Sequence, residues 1–447
     1  MQKYLTAPPA ISGMPGGISY IVSNEAAERF SFYGMRAILV VYMTQYLAGS
    51  NGMLDVMSEA EAKGWFHLFV SAVYLTPLLG ALLADGFLGK YRTIILLSLL
   101  YCAGHFALAI DDSRQGLAIG LGLIALGAGG IKPCVSSHLG DQFGATNQGL
   151  LARAFAWFYF AINLGAFAST LATPWLLQHY GSAVAFGIPG VLMLLATALF
   201  WAGRHRFVHI PAGGRKFVRE IFSRTGMSTM GRLAVLYLFV AIFWALFDQT
   251  ASSWVLQAQH MDRVIAGVEL LPSQIQAANP LLVMLLIPVF SYFIYPAINR
   301  VFKLTPLRKI GIGLFLTAAA FTIPTFVQIS IDQGGVPGIG WQLLAYVVLT
   351  SAEVMVSITC LEFSYTQAPR AMKSFVMALF MLSISLGNLF TSAVNFFIQD
   401  AGGADLLAGA DYFIFFTVLM LVTALLYTVF ARFYQGSTWL QQQQPAS

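Results

Sequence analysis

Residues 154–203 form a run of fifty positions that contains no Asp, Glu, Lys or Arg. Because about 20 apolar residues are enough for a helix to cross the hydrocarbon core of a bilayer, this run is long enough for two crossings. The rest of the chain has the same character, since 58% of its 447 residues are hydrophobic and 10% are charged. Soluble domains carry about 25% charged residues. The composition therefore argues against a soluble globular protein and predicts a polytopic membrane protein.

Hydrophobic periodicity predicts an all-α chain of twelve helical spans, with boundaries accurate to a few residues. The spans lie near residues 19–47, 63–86, 92–110, 116–138, 153–178, 183–203, 233–258, 273–299, 309–331, 338–366, 374–399 and 408–431. Most connectors are short and contain Gly, Pro, Asp or Asn, as turns do. The exception is a polar, basic segment at 204–232. We therefore predict two six-helix bundles, 1–203 and 233–447, joined by this basic linker.

The Lys and Arg residues are distributed unevenly between the two predicted sides of the membrane. Eighteen of the 24 lie on the side that holds both termini and the linker, and three lie on the other side. Since cytoplasmic loops carry an excess of Lys and Arg, we expect the basic side and both termini to be cytoplasmic in a cell inner (plasma) membrane. We therefore interpret the net charge of +5 as the excess of Lys and Arg that marks the cytoplasmic side, and we expect no nucleic-acid partner.

The cysteines and the first apolar run bear on disulfides, cofactors and targeting. The three cysteines, Cys102, Cys134 and Cys360, all lie inside apolar stretches, so a disulfide framework is not expected. No cluster of metal-ligand residues is visible, and we expect neither a metal nor an organic cofactor. The first apolar run leads straight into charged residues, which is unlike a cleavable signal peptide.

The two halves of the chain carry a weak repeat. Gly80-x4-Asp85-x3-Gly89-Lys90-x-Arg92 joins the second and third spans, and Asn299-Arg300 through Arg308-Lys309-x-Gly311 joins the eighth and ninth. A repeated six-span unit is the architecture of major facilitator transporters, which hold their substrate near the bilayer midplane between the halves. We therefore predict the major facilitator fold.

The first span contains charges that are costly inside a membrane. Glu25, Glu28, Arg29, Tyr33 and Arg36 are separated by three, four or seven residues and so follow one face of a helix. Ionisable groups inside membrane spans face a cavity or a partner. This face therefore has to line a polar interior. A purely structural network of ion pairs between helices remains the alternative.

Five further polar residues lie inside other spans: His67, Lys132, Asn163, Asn279 and Glu353. A buried carboxylate such as Glu353 is a candidate for proton coupling or for binding an amine. Histidine, with an unperturbed pKa of ~6.5, is a natural proton acceptor. The amides offer both a donor and an acceptor to a polar ligand. The alternative for each residue is a structural role, in which its side chain is hydrogen-bonded to a neighbouring helix.

Several motifs taken together point to one family. Glu25-x-x-Glu28-Arg29-Phe30 is similar to its helix-one signature, residues 80–89 (GALLADGFLG) to its helix 2–3 signature, and residues 155–166 (FAWFYFAINLGA) to its helix-five signature. Residues 129–135 (GGIKPCV) and 243–249 (FWALFDQ) are similar to animal members, as are 351–353 (SAE) and 361–364 (LEFS). Over nearly its whole length the chain resembles the proton-dependent oligopeptide transporter (POT/PTR) family of the major facilitator superfamily.

The resemblance implies a function and a set of site residues. It implies a proton-coupled symporter that imports di- and tripeptides by alternating access. The implied substrate residues are Arg29, Tyr33, Tyr74, Lys132, Asn163, Trp254, Asn279 and Glu353. The implied proton-coupling residues are Glu25, Glu28, Arg29, His67, Lys132 and Glu353. Arg36 and Asp248 resemble an extracellular gate pair. The expected partners are peptides and membrane lipid, with a monomer as the working unit and protons as the coupling ion.

The chain departs from the family pattern at several positions. Phe32 stands where many members have a second tyrosine, Asp248 where bacterial members commonly have glutamate, and Phe380 where tryptophan is frequent. The short linker leaves no room for an extra pair of helices.

The alternative function is transport of another solute by the same fold, such as nitrate, a drug or an amino-acid derivative. The intact Glu25-x-x-Glu28-Arg29 motif favours peptide. No nucleophile motif or soluble catalytic domain is visible, so we do not expect an enzyme.

Overall fold

A computed structural model describes residues 4–49, 52–212, 214, 224–367, 373–400 and 407–434, and this part of the chain is mainly helical, with one short β-hairpin. The helices are α1 (Ile18–Gln45), α2 (Glu59–Leu88), α3 (Lys90–Ile110), α4 (Arg114–Gly140), α5 (Leu151–Ala202), α6 (224–258), α7 (Pro272–Val301), α8 (Pro306–Asp332), α9 (340–367), α10 (Lys373–Asp400) and α11 (Ala410–Phe433). The hairpin pairs β1 (Val264–Ile265) with β2 (Val268–Glu269) in antiparallel register.

Ten of the helical segments are long and apolar enough to cross a membrane, among the residues described. Helix α1 is not among them, although its 28 residues exceed the ~20 needed, because it carries Glu25, Glu28, Arg29 and Arg36. Helix α5 has 52 residues and is broken at Gly181, whose φ of 81° is in the left-handed region. At 1.5 Å per residue, α5 is long enough for about two crossings. The count of twelve crossings stays a prediction.

Each half of the chain has its own apolar core. One cluster is built mainly from residues 18–207, with Ala251, Val255 and Leu256 added from α6. The other is built from residues 233–427. The limits of the two predicted bundles stay predictions. Residues 213 and 215–223 of the predicted linker lie outside the described residues, as do the termini.

The halves meet along α2 and α10 at the end of the molecule where α2 begins. Ser71 Oγ lies 3.0 Å from Ser385 Oγ, and Ser392 Oγ donates to the carbonyl of Gly64 at 2.9 Å. Gly64 allows a close approach here, because a Cβ at this position would lie 2.8 Å from the ring of Phe396 and the ring would have to shift. Close packing of α2 against α10 therefore closes this end of the interface.

Helices α2 and α4 approach each other just as closely within the first half. A Cβ on Gly80 would lie 2.3 Å from the carbonyl oxygen of Gly130, so only glycine allows this contact. Pro133 follows within α4. This approach places Lys132 against the aromatic residues of α1 and α2.

Candidate functional site

The charged face of α1 is turned into the protein, as the residue spacing predicts. Arg29 Nε donates to Glu25 Oε1 at 2.7 Å and lies 3.0 Å from Glu28 Oε2. The exposed fractions of these three residues are 8%, 1% and 1%, respectively. Burying a charge is costly unless it is paired, so one arginine between two carboxylates forms a tightly linked group with a surplus negative charge.

Lys132 lies beside this group and faces two aromatic rings. Its Nζ is 3.8 Å from the centroid of the Phe32 ring and 4.3 Å from that of Tyr74. Within the described chain this buried ammonium has no hydrogen-bond partner and no ion pair. Cation–π attraction offsets part of the burial cost. Phe32 and Tyr74 therefore face the ammonium with their rings, and its hydrogen-bond donors are available to an anion.

Glu353 provides the opposite charge from the second half of the chain. Its Oε2 accepts a hydrogen bond of 2.8 Å from Asn279 Nδ2, and the same amide reaches Thr350 Oγ1 at 3.2 Å. No Lys, Arg or His of the described residues lies within ion-pair distance of this carboxylate. Asn279 therefore holds one oxygen of Glu353 and leaves the carboxylate available to a cation.

Two adjoining cavities connect these groups. A cavity of about 190 Å³ is lined by Asn163, Asn279 and Glu353, and one of about 700 Å³ by Arg29 and Lys132. Four residues line both cavities: Tyr33, Tyr74, Tyr159 and Ile162. The cations of the first half and the carboxylate of the second half thus line two adjoining cavities that share these four residues.

The smaller cavity ends at a buried ion pair between Arg36 and Asp248. Asn388 Nδ2 donates to the other oxygen of Asp248 at 2.6 Å, and its Oδ1 lies 2.7 Å from His67 Nδ1. His67 Nε2 lies 2.9 Å from Ser252 Oγ. This network joins α1, α2, α6 and α10 and closes the cavity at the end where the two halves meet.

The larger cavity extends in the opposite direction. It reaches Asp85 and Lys90, at the turn between α2 and α3, and it includes Leu361 and Met381 from the second half. Lys90 forms an ion pair with Asp141 at 2.6 Å. The cavity therefore extends toward the end of the protein that carries most of the Lys and Arg residues.

Trp254 is the predicted substrate residue that the structure does not bring to either cavity. Its side chain is fully buried in the core of the second half, 5.1 Å from Tyr346 and 5.6 Å from Phe321 between ring centroids. The chain forms a 3₁₀ turn at Asp248–Ala251, which rotates the following residues away from the face that carries Asp248. Phe380 is also buried, against Tyr237.

Sequence reasoning missed several residues that the structure brings to the site. Tyr159 lies one turn before Asn163 on α5, and its carbonyl accepts a hydrogen bond from the Asn163 amide at 2.9 Å. Trp244 and Phe247 line the smaller cavity. Spacing from Asn163 could have identified Tyr159, whereas Asn388 meets its partners only through long-range contacts. No group of metal-ligand side chains suited to an ion occurs among the residues described.

Fold and site together define a class of protein: a polytopic helical membrane protein with a polar cavity between two helical halves. The family model described as the POT family matches residues 91–230 and 223–404. The crystal structure of the POT family transporter PepTSo is 39% identical, covers 95% of this chain and 99% of its own, and superposes with a TM-score of 0.86. The chain belongs to the POT family. The predicted family and the predicted major facilitator fold are thereby confirmed.

Curated relatives match over most of this chain. "Peptide transporter family 1" of Drosophila melanogaster is 38% identical in an alignment that covers 71% of this chain and 48% of the relative. "Solute carrier family 15 member 1" of Homo sapiens is 35% identical in an alignment that covers 72% of this chain and 53% of the relative. The chain thus spans about half the length of the curated relatives it matches.

Proposed function

We propose that this protein is a proton-coupled symporter that imports di- and tripeptides by alternating access. One observation carries the proposal: buried cations of the first half and a buried carboxylate of the second half line two adjoining cavities that share four lining residues. A peptide is a zwitterion with a constant backbone and variable side chains. A general peptide site therefore needs a cation at one end, an anion at the other and tolerant walls between them. Relatives with 35–38% identity that are named as peptide transporters or solute carriers support the same conclusion.

In this proposal each part of the peptide has a partner in the cavity. Arg29 and Lys132 bind the carboxylate, and Glu353 binds the ammonium group. Asn163 and Asn279 bond the termini or the peptide carbonyl, while Tyr33 and Tyr74 orient the ligand. Trp244 and Phe247 line the cavity and take the role of apolar wall that sequence reasoning gave to Trp254. Apolar walls accept different side chains with little selectivity.

Proton coupling is proposed for the ionisable groups that surround the cavity: Glu25, Glu28, Arg29, His67, Lys132 and Glu353. Protonation of Glu25 or Glu28 weakens its ion pair with Arg29. The guanidinium of Arg29 is then available to bind the carboxylate of the peptide. One proton moved through 100 mV supplies ~2.3 kcal/mol, which supports roughly fiftyfold accumulation of substrate. Protons serve as the coupling ion, and no cofactor takes part.

The arrangement is proposed to be inward-facing. The closed end holds Arg36 and Asp248, the proposed extracellular gate. The larger cavity extends toward the basic end, which the excess of Lys and Arg favours as the cytoplasmic side of an inner (plasma) membrane, with both termini there. Both halves of one chain line the cavity, so a monomer is the working unit.

Uptake of labelled dialanine into proteoliposomes tests the proposal. An imposed inward proton gradient should drive accumulation of the peptide, and a protonophore should abolish it. Labelled alanine and nitrate serve as matched solutes, and neither should compete at the concentration where unlabelled dialanine does. If a proton gradient drives uptake of nitrate but no accumulation of dialanine, the protein transports another solute and the proposal is wrong.

A further inference from the structure

A separate cavity of about 430 Å³ lies between the beginning of α8 and the end of α11, away from the polar cavities of the transport site. Its lining includes Arg308 and Arg432 together with the apolar residues Ile312, Phe315 and Tyr427. The cavity is therefore amphiphilic, with two guanidinium groups next to an apolar wall.

The two arginines have no acidic partner. Both side chains are exposed, and within the described residues neither forms an ion pair. Arg308 Nη1 donates to the carbonyl of Lys303 at 2.5 Å, which leaves its other donors available. Residues 270–331 and 412–447 contain no Asp or Glu. These two stretches, which hold nearly all of α8 and α11, therefore supply no acidic partner to the cavity, and an anion is the complementary ligand.

A glycine keeps the apolar part of the cavity open. A Cβ on Gly311 would lie 3.2 Å from the ring of Tyr427, and a larger side chain would extend into the space beside it. Tyr427 is itself fixed, because its hydroxyl donates to the carbonyl of Leu307 at 3.0 Å. The wall is therefore rigid and leaves a groove beside the arginines that an acyl chain can occupy.

We infer that this cavity binds an anionic phospholipid of the membrane leaflet on the basic side of the protein. The phosphate lies between Arg308 and Arg432, and the first part of an acyl chain lies along Ile312, Phe315 and Tyr427. Basic pockets between membrane helices are typical sites for anionic headgroups. A zwitterionic lipid fits less well, because its ammonium group meets no carboxylate here. A free inorganic anion fits less well too, because it leaves the apolar wall unused.

Native mass spectrometry of the full chain tests this inference directly. The protein is delipidated in detergent and titrated with phosphatidylglycerol or with phosphatidylcholine of identical acyl chains. We expect one phosphatidylglycerol to bind at least about tenfold more tightly than phosphatidylcholine, since charge-assisted hydrogen bonds to phosphate distinguish them. Equal retention of the two lipids would overturn the inference.

Variants locate the site. Arg308→Gln with Arg432→Gln should weaken phosphatidylglycerol binding at least about tenfold. The matched control, Arg300→Gln with Lys303→Gln, removes the same charge from neighbouring side chains that do not line the cavity and should change binding less than about threefold. An equal loss in the two double variants would show a diffuse charge effect and would contradict the proposed site.

Two further measurements distinguish binding of a lipid from binding of an inorganic anion. Gly311→Val leaves both arginines in place but fills the apolar part, and it should weaken lipid binding at least about fivefold. Inorganic phosphate at millimolar concentration should not displace the lipid. Unchanged binding by Gly311→Val, or displacement of the lipid by phosphate, would mean that the arginines bind anions without an acyl chain. Peptide uptake is not part of the readout, so the outcome does not depend on the proposed transport function.

Discussion

At the scale of single residues, the groups that matter are buried charges with an incomplete set of partners. Among the described residues, Lys132 faces two rings and has no hydrogen-bond or ion-pair partner, and Glu353 accepts a hydrogen bond from Asn279 but forms no ion pair. A partly satisfied buried charge lowers stability. Under the proposed function, a bound zwitterionic peptide supplies a partner to each of these groups at once.

Glu353→Gln should abolish uptake of dialanine, because the neutral amide cannot pair with the ammonium group of the peptide. In the native protein, N-acetyl-dialanine should compete at least about tenfold less well than dialanine, since it lacks the charge-assisted bond. Glu362→Gln, an exposed position on the same helix, is the matched control and should leave uptake unchanged. Undiminished transport by Glu353→Gln would remove this residue from the site.

Glu25→Gln or Glu28→Gln should separate proton coupling from substrate exchange. Each variant removes one titratable carboxylate beside Arg29, so accumulation driven by a pH gradient should be lost. Counterflow exchanges labelled for unlabelled peptide without net proton movement and should be retained. If both variants still concentrate dialanine on a proton gradient, α1 is not the coupling element.

At the scale of elements, what could be predicted from the sequence depended on whether an arrangement is local. The three- and four-residue spacings on α1 predicted the group around Arg29, because one helix fixes those positions. Trp254 lies outside the two cavities and follows a 3₁₀ turn at Asp248–Ala251, which no periodic pattern in the sequence marks, so its substrate role stays a prediction. Asn388 went unnoticed because its partners lie on α2 and α6, and contacts between distant helices leave no local signal.

The ion pair between Arg36 and Asp248 should act as a unit that joins α1 to α6. Exposed ion pairs contribute at most ~1 kcal/mol, whereas removing one partner of a buried pair costs about 3–5 kcal/mol. Asp248→Asn should therefore leave Arg36 without its ion-pair partner, weaken closure of this end and slow uptake. A double-mutant cycle in proteoliposomes measures the coupling. Arg36→Asp with Asp248→Arg should recover part of the activity, and additive losses without recovery would show that the residues act separately.

At the scale of the whole molecule, the structure is closed at one end and extends a cavity toward the other. Closure rests on the polar network around Asp248, on the contacts of Ser71 with Ser385 and of Ser392 with the Gly64 carbonyl, and on apolar packing between the halves. Each cluster of buried apolar residues lies largely within one half of the chain, although Ala251, Val255 and Leu256 of α6 pack into the core of the first half. Separation of the halves at the closed end therefore breaks these polar contacts and the apolar contacts that cross the interface, while most of each core stays packed.

This arrangement makes alternating access testable with one covalent bond. Ser71 Oγ and Ser385 Oγ lie 3.0 Å apart on opposite halves, so Ser71→Cys with Ser385→Cys should oxidise to a disulfide with little backbone movement. The oxidised protein should still bind dialanine but should not transport it, because the closed end can no longer open. Reduction with dithiothreitol should restore uptake. Each single cysteine variant, treated in the same way, controls for oxidation of the buried native cysteines Cys102, Cys134 and Cys360. Full uptake by the cross-linked protein would mean that α2 and α10 do not separate during transport.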